Sequence, residues 1–194
     1  MRISMLALGI ALCFGCAAVA APITYVATLN GPTEGTVSPG IGTGLAIIDP
    51  VANTLFVSET FSGLLSPTNA SHIHCCTAAP LTGTAAVATQ VPSFSLFPSG
   101  VTSGTFSQTF DLTLASSWNP AFITANGGTT ASAEAVLVAG LAAREAYFNI
   151  HTAQFPGGEI EGFLTAATPE PSTIGLALLG VAGLLAWRRK HQGR

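Results

Sequence analysis

Three of the four histidines in the chain fall in triplets that alternate polar, Ile, polar: His72-Ile73-His74 and Asn149-Ile150-His151. In an extended strand, side chains at i and i+2 leave the same face about 7 Å apart. Each triplet therefore presents two polar groups on one surface and sends its isoleucine to the other. A third triplet, Glu159-Ile160-Glu161, follows the second after the turn formers Pro156-Gly157-Gly158. If these two segments form a hairpin, His151 and Glu159 approach across the turn, and a neighbouring strand carrying His72 and His74 completes a cluster. Cys76 joins the His72 and His74 face if that strand continues past His74. The resulting ligand set, His72, His74, His151 and Cys76, offers nitrogen and sulfur donors suited to zinc or copper, with Asn149 and Glu159 as hairpin groups beside it. The same spacing also fits histidines that hydrogen-bond the backbone and fix a turn.

Other chemistry is less well served. Cys13 and Cys16 lie in the apolar N-terminal run, so Cys75 and Cys76 are the cysteines of the body. An oxidising compartment favours a bond between them, although adjacent Cα atoms sit closer than the usual disulfide partners. No Gly-x-Ser-x-Gly elbow is present, and the spacing of Ser, His and Asp assigns no nucleophile to a base. Glu159 and Glu161 on one strand face would suit glycoside chemistry by their separation, but a solvated acidic edge is the commoner arrangement, and no enzymatic activity is expected.

The elements that must position these residues read as strands. Period-two alternation of β-branched and aromatic residues recurs over Ile23 to Leu29, Gly42 to Ile48, Thr54 to Phe61, Ser71 to His74, Ala85 to Thr89, Thr105 to Leu114, Ala146 to His151 and Glu159 to Leu164. Turn formers such as Asn30-Gly31-Pro32, Asp49-Pro50 and Pro98-Ser99-Gly100 separate them. Short strands at this spacing predict an all-β sandwich. The exception is Ala131 to Ala143, rich in Ala and Leu with apolar residues near helical spacing, which predicts one short helix capping an end of the sheets.

Composition narrows the function class. Of 194 residues, 48% are hydrophobic and only 8% charged, which excludes disorder. Five of the six basic residues stand at the chain ends and Arg144 alone lies between, so no surface can neutralise a row of phosphates, and nucleic acid is excluded as a partner. Residues 21–168 hold eight carboxylates against that one cation, a net of −7.

Both ends read as address labels. Met1-Arg2, an apolar run from Ile3 to Cys16 and the small residues up to Ala21 form a secretory signal helix (residues 1–20) cleaved between Ala20 and Ala21, which implies the Sec translocon and signal peptidase as partners. The run is short for a retained anchor, and Cys13 stands where a lipoprotein signal wants Leu at that distance from Cys16. At the other end, Pro169-Glu170-Pro171 precedes an apolar stretch from Ile174 to Trp187 and the cluster Arg188-Arg189-Lys190. Fourteen residues make about 21 Å of helix, so this transmembrane helix spans a bilayer only by recruiting its flanks. The basic tail is expected in the cytoplasm and the body outside. This order of parts resembles the PEP-CTERM sorting signal of Gram-negative bacteria over residues 169–194. That resemblance implies processing by an exosortase-type protease near Pro169, Glu170 and Pro171, and delivery to the cell envelope or an extracellular polysaccharide matrix.

The body resembles the chordin-type CHRD domain across residues 23–165. The residues that carry the likeness are Tyr25 to Gly31, Gly42-Thr43-Gly44, Ser71-His72-Ile73-His74, and Ala146 to Thr152 followed by Phe155-Pro156-Gly157-Gly158-Glu159-Ile160. The resemblance implies an all-β, immunoglobulin-like module with a binding or structural role and no established catalysis. Two positions depart from the family's usual pattern: Cys75-Cys76 where Gly is common after His-x-His, and Glu161 where Arg is common after Glu-Ile. The second change makes that face more acidic, which suits either a bound cation or a solvated edge.

Overall fold

The computed structural model describes residues 21–167. The expected signal and transmembrane helices, with Ala20, Pro169, Glu170 and Pro171, lie outside the described residues. Ala21 is an exposed residue just before the first strand. Among the described residues no helix is long and apolar enough to cross a membrane.

Alternating burial builds the first half of the fold. In β1 (Ile23–Asn30), Tyr25, Ala27 and Leu29 point inward while Val26 and Thr28 face out. β1 pairs antiparallel with β2 (Ile41–Asp49), β2 with β3 (Thr54–Ser62), and β3 with β5 (Gly104–Asp111). In the second half, β4 (Thr68–His74) pairs with β6 (Tyr147–Thr152), and β6 with β7 (Ile160–Phe163). The halves are continuous: β7 meets the end of β1 at Asn30 and Glu161, and the two-residue β8 (Thr165–Ala166) pairs with its start. One eight-stranded antiparallel sheet results, in the order β4-β6-β7-β1-β2-β3-β5.

The sheet curls so that its halves meet face to face. The Phe148 ring of β6 occupies the space that a Cβ at Gly44 of β2 would need, and Ser71 of β4 donates to Glu59 of β3 across the interior. Ile73, Phe148, Ile150 and Ile160 join Leu29, Ile48, Leu55 and Val57 in one fully buried core. The all-β part of the expectation therefore holds, as one curled antiparallel sheet among the described residues.

Among the described residues, three α-helices and a 3-10 turn (Ala115–Ser117) accompany it, where one short helix is expected in the body. The expected helix is α3 (Thr130–Ala143), opened by a Thr129/Ser132 capping box and burying Ala133, Leu137, Gly140 and Leu141. It packs at the end of β4, where Gly140 lies against the sulfurs of Cys75 and Cys76. Sequence reading missed α1 (Gly31–Glu34) and α2 (Pro120–Ala125), both capped by an asparagine and begun near a proline. The segment Ala85 to Thr89 is not a strand. It runs beside β4 with a single isolated bridge, Val87 to His74, because the Ile73 N–H donates to the Thr89 side chain while the Ala88 and Thr89 N–H groups both reach the Ile73 carbonyl, so no regular ladder forms.

Candidate metal centre

β6 differs from an ordinary half-exposed strand because all six of its residues are buried. Phe148 and Ile150 face the core, so Tyr147, Asn149 and His151 occupy the opposite face, which loops cover. β4 is its neighbour in antiparallel register, with His74 opposite Tyr147, His72 opposite Asn149 and Ala70 opposite His151. His72, His74 and His151 thereby share one covered surface, where they are 6%, 7% and 8% exposed. Their ring centroids lie 5.0–5.8 Å apart. One nitrogen from each ring falls within 4.8 Å of the others.

Backbone carbonyls determine which nitrogen of each ring keeps its lone pair free. His72 Nε2 bonds the Pro92 carbonyl (2.6 Å), His74 Nδ1 that of Ala85 (2.8 Å) and His151 Nδ1 that of Pro156 (3.0 Å). A carbonyl oxygen only accepts, so each bonded nitrogen carries the ring proton. In a neutral ring the lone pairs are then left on His72 Nδ1, His74 Nε2 and His151 Nε2. These three atoms are buried and have no hydrogen-bond partner among the described residues. Burial pushes the His72 and His74 imidazoles down to about 4, with the nearby His151 adding to the effect, and burial lowers His151 as well. All three are neutral at pH 7, the form in which imidazole binds a metal. Holding the second ring nitrogen on a carbonyl is the usual means of orienting a metal-bound histidine.

Further groups surround the cluster. Tyr147 stacks on His74 with centroids 4.9 Å apart, and its hydroxyl accepts from the Ala85 N–H. Asn149 donates from Nδ2 to Glu34 Oε2 (2.9 Å) and to the Gly157 carbonyl (3.2 Å). Beside Glu34 stands Glu161, which burial first, and then the hydrogen bond to Glu34 and the Glu34 charge, push up to about 8. Glu161 is 5% exposed and stands beside Glu34, so it does not form a solvated edge.

Two expected members do not join. Cys76 is disulfide-bonded to Cys75 across a cis peptide, with Cα atoms 3.0 Å apart, and its sulfur lies against Gly140 of α3 instead of on the histidine face. Glu159 turns to the opposite side of the sheet. It is fully buried and accepts from Ser38 Oγ, the Leu65 N–H and Thr152 Oγ1, tying three chain segments together. It therefore meets neither His151 nor Glu161, and the paired-carboxylate arrangement for glycoside chemistry does not form. Sequence reading missed Glu34 and the carbonyls of Ala85 and Pro92. Asn30-Gly31-Pro32-Thr33-Glu34 carried a legible helix-start signal, an Asn cap before a proline and an acidic residue. Nothing in side-chain types marks a carbonyl.

These observations define a curled antiparallel β domain with a buried three-histidine cluster at the boundary of β4 and β6. The CHRD domain model matches residues 25–164, and the PEP-CTERM protein-sorting motif matches residues 167–190. The chain belongs to the CHRD domain family. Its sorting motif implies export, membrane-anchored sorting and processing by exosortase. Neither the curated proteins nor the solved structures give a match.

Proposed function

We propose that this is a non-catalytic binding protein of the Gram-negative cell envelope or its polysaccharide matrix, whose working site holds one zinc or copper ion on His72 Nδ1, His74 Nε2 and His151 Nε2. The observation that carries the reading is the convergence of three buried imidazoles, each offering one nitrogen within 4.8 Å of the others, and each with one buried ring nitrogen that has no partner among the described residues. Leaving a buried acceptor unpaired costs about 1–3 kcal/mol, and a single cation satisfies all three at once. Three neutral nitrogens make a ligand set for zinc or copper and leave a further coordination position. The excess of carboxylates over cations in the body favours approach of a cation.

Elemental analysis of the mature protein, purified from the envelope fraction without chelator, tests the metal. About one zinc or copper per chain is expected, with stoichiometry lost in His74→Ala. Wild-type protein holding neither metal, before or after incubation with them, removes this reading. Export is checked separately by intact mass. A chain beginning at Ala21 and ending near Pro169, Glu170 and Pro171 is expected outside the cytoplasm, and an unprocessed C-terminus retained inside contradicts it.

A further inference from the structure

Five buried side-chain atoms lack a hydrogen-bond partner among the described residues, and four of them belong to the outer face of β4 and β6. Three are the ring nitrogens already described, so the fourth, Asn149 Oδ1, extends the unsatisfied region beyond the imidazoles. Asn149 is 2% exposed. It stands directly opposite His72 in the β4–β6 register and two residues before His151 on the same strand face. Directly paired residues of neighbouring strands place their Cβ atoms about 5 Å apart, which puts the amide beside the histidine cluster.

The amide's orientation is determined by its partners. Nδ2 faces two oxygens, Glu34 Oε2 and the Gly157 carbonyl, and only an N–H can satisfy both. Glu34 follows β1, and Glu161, its partner, is on β7, so this anchoring draws Nδ2 away from β4. The oxygen end of the same planar group is buried and has no hydrogen-bond partner among the described residues. Gly158 makes room for this placement, since a Cβ there would strike the Asn149 amide and Glu34.

We infer that Asn149 Oδ1 accepts a hydrogen bond from a protic oxygen ligand, water or hydroxide, in the remaining coordination position of the metal, and that Glu34 is the positioning residue that holds the amide for this role. The inference rests on the metal reading above. An amide oxygen accepts and cannot donate, so it favours a ligand carrying an O–H over an aprotic anion such as azide. The three histidines supply affinity for the metal, and Asn149 selects what else the metal holds.

Cobalt(II), whose visible bands report its coordination, is the probe, titrated into the mature chain and followed by azide. The expected result is that Asn149→Leu binds cobalt about tenfold or more weakly than wild type, the usual size of an outer-shell effect, and that the loaded variant takes azide severalfold more tightly. Glu34→Ala shifts both constants in the same directions without touching the centre, and it carries the test if Asn149→Leu does not fold. Asn149→Asp, which keeps an acceptor, retains the wild-type discrimination against azide. Cobalt and azide affinities unchanged by Asn149→Leu and Glu34→Ala would overturn the inference while leaving the metal reading intact. Complete loss of cobalt from Asn149→Leu would make Oδ1 a ligand and overturn the hydrogen-bonding role. Wild-type protein that takes up no cobalt, zinc or copper would remove the metal reading itself.

Discussion

At the scale of single residues, burial sets the protonation of both the histidines and two of the carboxyl groups, in opposite senses. Glu59 lies in the core with only Ser71 Oγ for company, and burial pushes it up to about 8 from an ordinary 4.5. The folded chain keeps this proton after the unfolded chain has lost it. Its contribution to stability is full below about pH 4.5 and is lost as pH rises through about 8. Glu161 acts in the same direction. The histidines do the reverse: they stay neutral when folded and take protons when unfolded, so stability is lost as pH falls from about 6.5 toward 4. A maximum near pH 6 follows for the metal-free protein. Urea unfolding should lose on the order of 1–3 kcal/mol between pH 7 and pH 8.5, with about half of that loss removed in Glu59→Gln. An alkaline limb unchanged by Glu59→Gln would contradict the assignment.

At the scale of elements, the alternation of β1, β2, β3 and β5 was readable because one face of each is solvated, and the pattern of side chains records it. The boundaries of α3 were readable within a residue for a similar reason, since a run of helix formers with apolar residues near helical spacing fills it. Ala85 to Thr89 was misread because its apolar alternation arises from packing along β4 while its hydrogen bonds are irregular. The vicinal cysteines and α3 meet at Gly140, where a Cβ would fall on both sulfur atoms. Helix propensity alone makes Gly140→Ala stabilising by about 1 kcal/mol. The contact predicts the opposite, a net destabilisation of about 1–3 kcal/mol and a melting temperature lower by about 3–10 °C in the oxidised protein. A rise in melting temperature would mean that α3 does not bear on the disulfide as described.

For the whole molecule, metal binding and folding are linked, because the three ligands converge only when β4 and β6 pair. Zinc or copper at about one hundred times its dissociation constant should stabilise the native state by about 2.7 kcal/mol. That corresponds to a melting temperature higher by about 5–10 °C, reversed by chelator and absent in His74→Ala. Equal melting curves for wild type with and without metal would place the ion, if any, outside this site.

The linear order of residues determined where the chain is sent, what class of fold it adopts and which histidines are paired by spacing, since each of these depends on local composition or on a strand's period of two. It left Cys76 and Glu159 as members of the cluster, because period alone continues a strand past its true end and cannot detect the bond between Cys75 and Cys76. Tertiary structure decided the rest. Long-range pairing of β4 with β6 brings His72 and His74 to His151, nearly eighty positions away, and covering loops supply the carbonyls of Ala85, Pro92 and Pro156 that leave one lone pair bare on each ring. A backbone carbonyl is the same group in every residue, so only the folded path of the chain could say which ones would meet a histidine.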